Sequence, residues 1–273
     1  MNDRVNFSIP VVSIRASSLG ELFDCPARWE AKNIRGIRMP SSGAARLGTS
    51  VHASTAIFDK AKIDGAPISI DDAAGALVDT LHSTDEEVDW EDTNPNEAEK
   101  IGLALHDRYC KSIAPHQDYV AVEARCENLL ITDLGINLTG TTDRVYRCPD
   151  GSLGIADIKT GKAAVSADGT VKTAGHGPQL GVYELLAEHA ISERLTAPAQ
   201  IIGLNTGKTP IAQRVGIGQV THARDVLIGE DGNPGMLEYA AQIIHSGAFY
   251  ANPKSILCSA KYCPAHSTCK YKG

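Results

Sequence analysis

The spacing of apolar residues predicts helices in the first part of the chain. Leu19, Leu22 and Phe23 follow one another at helical spacing, behind a serine that can cap the helix. Pro26 either breaks this helix or begins its second half. Predicted helices cover residues 16–35, 48–62 and 96–111, the last capped by Asn96, and residues 64–95 predict a short helix plus loop.

From residue 119 the pattern changes to short runs rich in β-branched and apolar residues. Predicted strands cover residues 119–125, 128–132, 137–147, 152–158, 199–204 and 211–217. A hairpin turn is predicted at Pro149-Asp150-Gly151. Predicted helices cover residues 176–190 and, with interruptions, 220–246. This order of elements indicates an α/β protein with a mixed sheet rather than a doubly wound one.

Charge is distributed unevenly along the 273 residues. The net charge is −7, but twelve acidic residues and no Lys or Arg lie between Asp64 and Glu99, so the rest of the chain is net basic. Such a run is usually a solvated face, and in a DNA-binding protein it would be a segment held away from the nucleic acid. Aromatic residues make up 5%, which argues against a surface built on aromatic base stacking.

The sequence also bears on the compartment. No apolar run approaches the length that spans a bilayer, and the first residues lack the basic start and long apolar stretch of a secretory signal. Seven cysteines, an odd number, do not indicate a disulfide framework. We therefore expect a cytoplasmic protein with no membrane partner, and the sequence leaves the oligomeric state open.

Acidic and basic residues of the predicted hairpin form a candidate metal site. Asp157 and Lys159 are two positions apart on one strand, so their side chains leave the same face, and Asp143 comes from the preceding strand. Two carboxylates that converge in this way suit Mg²⁺ or Mn²⁺, and a neighbouring ammonium can orient the attacking water. An Asp-x-Lys on a strand is also common as an exposed ion pair, so this pattern alone does not decide.

Four motifs in a fixed order are far more specific than any one of them. They are GTSVH at 48–52, GTTDRV at 140–145, ADIKTGK at 156–162 and QLGVY at 179–183. With them the chain resembles the PD-(D/E)XK nuclease superfamily and, within it, the RecB/AddB-like branch, which includes CRISPR-associated and phage stand-alone exonucleases. Ile158 replaces the aromatic residue that is usual in this branch.

This resemblance implies a restriction-endonuclease-like fold and a role for each motif residue. The implied metal ligands are His52, Asp143, Asp157 and the Ile158 carbonyl. Lys159 would be the catalytic lysine, while Gln179 and Tyr183, one turn apart on a helix, would steady the lysine or the scissile phosphate. Glu123 matches an acidic position that is frequent in the family, without a definite role.

Four cysteines form what we call the cysteine clasp: Cys25, Cys258, Cys263 and Cys269. Four thiolates can hold Zn²⁺ or a [4Fe–4S] cluster, and spacing alone favours zinc because C-x₄-C-x₅-C is not a ferredoxin pattern. The resemblance favours the iron–sulfur cluster, since the same branch often carries one cysteine before the catalytic motifs and three after them. The x₄ gap departs from the commoner x₂. The other cysteines, predicted to be small buried residues, are Cys110, Cys126 and Cys148.

The predicted architecture is a single nuclease domain over residues 1–273. Its predicted parts are a helical N-terminal part at 1–118 with an acidic segment at 64–99, a catalytic α/β core at 119–218, and a C-terminal helix with the cysteine clasp at 219–273. The predicted activity is metal-dependent hydrolysis of DNA phosphodiesters, as an exonuclease on single strands or DNA ends. The alternative is a non-catalytic DNA-binding or assembly subunit of a recombination or repair complex. The segment GLNTGKT at 203–209 is one residue short of a P-loop and predicts a strand-end turn.

Overall fold

The computed structural model describes residues 10–90, 93–230 and 232–272. The helices are α1 Leu19–Asp24, α2 Pro26–Asn33, α3 Gly43–Ile63, α4 Ile70–His82, α5 Pro95–Ser112, α6 Gly177–Ile191 and α7 Met236–Ser246. The strands are β1 Val12–Arg15, β2 Ser41–Ser42, β3 Val88–Asp89, β4 Tyr119–Ile131, β5 Ile136–Arg147, β6 Leu153–Thr160, β7 Ala199–Leu204 and β8 Val215–Val220. No helix in these ranges is long and apolar enough to cross a membrane.

A mixed sheet is built around β5 and β6, which confirms the predicted α/β class. β4–β5, β5–β6 and β7–β8 are antiparallel pairs, whereas β6–β7 and β1–β5 are parallel. The predicted hairpin turn joins β5 to β6: the Cys148 N–H donates to the Ser152 carbonyl at 2.8 Å, and Gly151 adopts φ 87°. Glycine suits this turn because it reaches positive φ at little cost.

One edge of β5 is shared by two strands. β1 pairs with residues 136–139 and β6 with residues 144–147, so no described strand pairs with residues 140–143 on this edge. The pairing of β5 with β6 ends at Arg144 and Ala156, so the backbone N–H groups of β6 after Ala156 can donate to side chains of β5. Asp143 lies at this point and accepts from one of them.

Helices cover both faces of the sheet, because its central strands bury side chains on both sides. Along β6, Ile155 belongs to one apolar core, with Leu180 and Leu186 of α6. Ile158, an odd number of positions away, belongs to a second core with Leu105 of α5. Helices α1, α6 and α7 pack on the first face, and α3, α4 and α5 on the second. This arrangement places the ends of β5 and β6 between two helical layers.

Two helix starts differ from the sequence prediction. α5 is capped by Asn94, whose side chain accepts from the Glu97 N–H at 2.9 Å, and not by Asn96. Pro95 explains the shift, since a proline fits the first helical position, where no intrahelical donor is needed. α3 begins at Gly43, before the predicted start near residue 48, with Ser42 as its cap. The predicted first helix is divided: α1 ends before Cys25, and Pro26 begins α2.

Three further boundaries were wrong in the sequence prediction. β4 runs without a break over the two predicted strands 119–125 and 128–132, with an irregular register between them. β8 covers Val215–Val220 instead of 211–217, because its pairing with β7 starts at Leu204 and Val215. The predicted long helix at 220–246 shortens to α7, since the backbones of Gly229 and Gly235, both before α7, lie too close together for a Cβ atom on either.

Candidate active site

The candidate catalytic residues lie where β5 and β6 separate. The Lys159 Nζ atom is 2.8 Å from Asp157 Oδ2, as expected for residues two apart on one strand. Asp143 Oδ2 accepts a hydrogen bond from the Ile158 N–H at 2.8 Å. The Asp157 side chain is almost fully buried, whereas that of Lys159 is 27% exposed. The lysine can therefore meet a substrate while the carboxylate stays fixed beneath it.

His52 reaches the same place from α3. Its Nδ1 atom lies 3.4 Å from Asp143 Oδ2. One turn earlier, Gly48 faces the end of β6, where a Cβ atom would lie 2.8 Å from Thr160 Oγ1. The motif glycine thus lets α3 approach β6 closely enough to bring the histidine to the carboxylates.

Electrostatics in the site are dominated by its buried negative charge. Burial and the charge of Asp143 raise the pKa of Asp157 to about 6, although Lys159 opposes the shift. Burial alone would raise the pKa of Asp143, but the charge and hydrogen bond of His52, together with the Ile158 N–H, lower it. Burial alone would lower the pKa of His52, but the charges of Asp143 and Asp157 raise it. Two carboxylates so close together favour a bound cation.

Gln179 and Tyr183 of α6 lie beside these carboxylates. The Gln179 amide donates to the Tyr183 hydroxyl at 3.1 Å. Burial raises the pKa of Tyr183 well above its ordinary value, and the charges of Asp157 and Asp143 raise it further. Gly140 makes room for this helix, because a Cβ atom there would lie 2.9 Å from Leu186 Cδ1. All four motifs therefore meet at one end of the sheet.

A buried network behind the site connects β5 to α3 and α5. Arg144 leaves the opposite face of β5 from Asp143, and its Nε atom is 2.7 Å from Asp59 Oδ2. Its Nη1 donates to the Asp143 carbonyl at 2.8 Å, and Tyr109 donates to Asp59 at 2.5 Å. Sequence reasoning missed Asp59 and Tyr109. Arg144 on a buried strand signals that an acidic partner must exist, but not which one.

A search among curated proteins found no match to the chain. The model of the PD-(D/E)XK nuclease superfamily matches residues 13–270. The chain belongs to the PD-(D/E)XK nuclease superfamily. Membership implies a nuclease that depends on divalent metal ions, and the mixed sheet flanked by helices agrees with the fold of this superfamily.

The donor set of this PD-(D/E)XK protein suits a divalent cation, but its members stand in separate ion pairs. His52 is turned to Asp143, and Asp157 to Lys159. Within the described ranges, no three His, Cys, Asp or Glu side chains converge on one point as metal ligands. Imidazole nitrogen and carboxylate oxygens are nevertheless ligands that divalent ions accept. Burial, together with the charge of Asp143, raises the pKa of Asp157, and a bound cation would oppose this shift.

Glu123 lies in β4 across from Asp143, between the pairs Val122–Arg144 and Ala124–Thr142. It is exposed, and its φ of 51° places a non-glycine residue in the left-handed region. Such a backbone is uncommon outside glycine and costs about 1–3 kcal/mol. The structure thus places Glu123 near the site without a contact to the other candidate residues in the described chain.

The four clasp cysteines lie where the start of α2 meets the C-terminal tail. They line one small cavity between α2 and the tail. The Asn252 N–H donates to Cys25 Sγ at 3.4 Å, and burial together with the charges of Cys25 and Cys258 raises the pKa of Cys263. As predicted, Cys110 and Cys126 are buried; Cys148, at a strand end, is only half-buried.

Hydrogen bonds hold the two walls of this cavity together. The Asn252 amide donates to the Asp24 carbonyl at 2.9 Å, and the Ser255 hydroxyl donates to Asp24 Oδ2 at 2.6 Å. Trp29 and Phe249 stack with ring centroids 6.3 Å apart. The tail is therefore fixed against α1 and α2 by contacts that do not involve the thiols.

Proposed function

We propose that this superfamily member is a Mg²⁺- or Mn²⁺-dependent deoxyribonuclease that acts as an exonuclease on single strands or DNA ends. The observation that carries the proposal is the proximity of His52, Asp143, Asp157 and Lys159 at the point where β5 and β6 separate. The preference for single strands or ends rests on the resemblance of the four motifs to the RecB/AddB-like branch.

In this proposal the cation is held by His52, Asp143, Asp157 and the Ile158 carbonyl. When bound, it lowers the pKa of a water molecule and neutralises charge on the phosphate oxygens. Asp143 is already oriented for this task, because the Ile158 N–H fixes one of its oxygens. Burial of Asp157 keeps competing water away from the ligand set.

Lys159, Gln179 and Tyr183 act on the substrate side. The Lys159 ammonium orients the attacking water and stabilises charge that develops on the phosphoryl oxygens. The Gln179 amide holds the Tyr183 hydroxyl at 3.1 Å, so the phenol proton can point to a phosphate oxygen. These donors are fixed before the substrate arrives, which lowers the cost of reorganisation.

The test is cleavage of end-labelled single-stranded, linear double-stranded and closed circular DNA with Mg²⁺, with Mn²⁺ and with a chelator. We expect degradation of the linear substrates with metal, none with chelator, and an intact circle. Asp157→Ala and Lys159→Ala should abolish cutting, by a factor of at least about 100 for each lost catalytic group. Circular dichroism should show a retained fold. Full activity in either variant would exclude this mechanism.

DNA binding in chelator separates the proposal from the non-catalytic alternative. A protein that shifts DNA on a gel in chelator, yet cuts none of the substrates with either metal, would be the DNA-binding or assembly subunit. The ion pair of Lys159 with buried Asp157 favours the enzyme, because both groups are present and positioned.

We also propose that the cysteine clasp binds a [4Fe–4S] cluster through Cys25, Cys258, Cys263 and Cys269. Support comes from the shared cavity and from the backbone N–H that donates to Cys25 Sγ, as N–H groups do to cluster sulfurs. Anaerobic purification followed by iron and acid-labile sulfide assays tests this. Colourless, iron-free protein that holds one zinc ion would support the zinc alternative.

A further inference from the structure

A groove of about 550 Å³ opens beside Lys159. Five basic side chains line it, and we call it the basic groove: Lys159, Lys162, Lys172, His176 and Lys208. Leu47 of α3 and Ile101 of α5 contribute an apolar part of its wall. Lys162, Lys172 and Lys208 are exposed, whereas Lys159 and His176 are half-buried. The groove thus begins at the candidate catalytic lysine and leads away from it.

The segment that resembled a P-loop builds one wall of this groove. The Asn205 side chain is buried, and its amide donates to the carbonyls of Lys162 and Val165 at 2.8 and 2.7 Å. Its Oδ1 accepts from the Gly207 N–H at 2.9 Å. One buried amide therefore fixes the backbone next to both Lys162 and Lys208. The role of Asn205 thus accounts for the segment at 203–209 without a binding site for a nucleoside triphosphate.

Positive charge in the groove is only partly balanced. Burial lowers the pKa of His176, and the charges of Lys159 and Lys172 lower it further, so these groups lie close together. Glu97 pairs with Lys208 at 2.9 Å. Among the described residues, neither Lys162 nor Lys172 has a carboxylate within ion-pair distance. Like charges gathered around a cavity favour an anionic occupant.

We propose that the basic groove holds the phosphates of a single DNA strand next to the phosphodiester that is cut. This inference rests on the proposed function, because it extends the strand from the site around Lys159. Charge complementarity identifies the occupant as a polyanion, and the volume falls in the range of pockets for small ligands. A groove of this size has room for a short piece of one strand.

The first test measures binding of fluorescein-labelled oligothymidylate in chelator over a range of salt concentrations. In the full chain, Lys162→Ala with Lys172→Ala should weaken binding and reduce the slope of log K against log salt by about 1.4, since each phosphate contact on a single strand contributes about 0.7. The control is Lys60→Ala with Lys111→Ala, which removes equal charge from exposed pairs outside the groove. Equal loss in both double variants would overturn the proposal.

A second variant should gain affinity, which misfolding does not produce. Glu97→Gln releases Lys208 from its ion pair, so binding should tighten and the salt slope should steepen by about 0.7. Asp107→Asn is the matched control on the same helix, because it releases Lys111 outside the groove. Unchanged binding in Glu97→Gln, or the same gain in Asp107→Asn, would count against the groove.

Two comparisons identify which claim has failed. If the unmodified protein cuts DNA but the groove variants bind it normally, the groove is wrong and the proposed function stands. If the unmodified protein neither binds nor cuts DNA, the proposed function fails as well. The last measurement uses a blunt duplex of the same length. If the groove variants lose as much affinity for the duplex as for the single strand, the groove is not selective for single strands.

Discussion

At the scale of single residues, the absence of a side chain matters as much as the candidate catalytic groups. Gly48 lies in α3, where alanine is intrinsically the better helix former by about 1 kcal/mol. A glycine at this position lowers helix stability, but a larger residue would not fit, because a Cβ atom would lie 2.8 Å from Thr160 Oγ1. The residue keeps α3 against the end of β6, next to Lys159.

We therefore predict different effects for two glycine substitutions in helices. Gly75→Ala in α4, where nothing lies within 4 Å of the added Cβ, should stabilise the protein by about 0.5–1 kcal/mol. Gly48→Ala should displace α3 and lower cleavage while adding no stability. Thermal unfolding and nuclease assays measure both effects. Adding Thr160→Ala to Gly48→Ala should restore part of the activity, and a double variant as poor as the single one would contradict this explanation.

At the scale of elements, α3 connects the site to the core behind it. His52, Thr55 and Asp59 follow one another at helical spacing, and each of them contacts β5. Asp59 and Arg144 form an ion pair whose side chains are both buried. Since Arg144 also donates to the Asp143 carbonyl, the pair fixes the strand position from which Asp143 projects.

Breaking this pair should be costly. Asp59→Ala leaves the Arg144 charge buried without its partner, and we expect a loss of about 3–5 kcal/mol in unfolding free energy. Lys60→Ala, the neighbouring position, breaks an exposed pair with Asp64 and should change stability by less than about 1 kcal/mol. Urea-induced unfolding compares the two. Similar losses in both variants would show that Asp59 and Arg144 do not stabilise the packing of α3 on β5.

At the scale of the whole molecule, the start of α2 and the C-terminal tail meet at the cysteine clasp. The hydrogen bonds of Asp24 with Asn252 and Ser255 already join them. A bound cluster would add a cross-link between residues far apart in sequence, and such links stabilise chiefly by restricting the unfolded chain.

Removal of one clasp thiol should therefore affect the entire fold. If the clasp holds the proposed cluster, Cys258→Ser should lose its iron and about 2–5 kcal/mol of stability, the range found when a native disulfide cross-link is removed. Cys148→Ser, at a half-buried cysteine outside the clasp, should keep both. Iron content and thermal unfolding of the two proteins provide the measurement. Loss of iron in the Cys148 variant would place the metal elsewhere.

Motifs and periodicities in the sequence were sufficient to predict the class of fold and the superfamily. The alternation of β6 predicted that Asp157 and Lys159 share a face, and their ion pair follows from it. Turn chemistry predicted the hairpin at Gly151, because a positive φ there is a local property of glycine. Local rules were less useful for boundaries: the start of β8 depends on its pairing with β7.

Only the tertiary structure decided which residues meet. Three sets of contacts join segments that are distant in sequence. Asp59 pairs with Arg144, and Asn205 holds the backbone beside both Lys162 and Lys208. The charges of Lys159 and Lys172 act on His176. No periodicity encodes such contacts, since they depend on how the helices pack on the two faces of the sheet. The sequence by itself predicted the candidate site residues, and the packing determined the network and the groove that surround them.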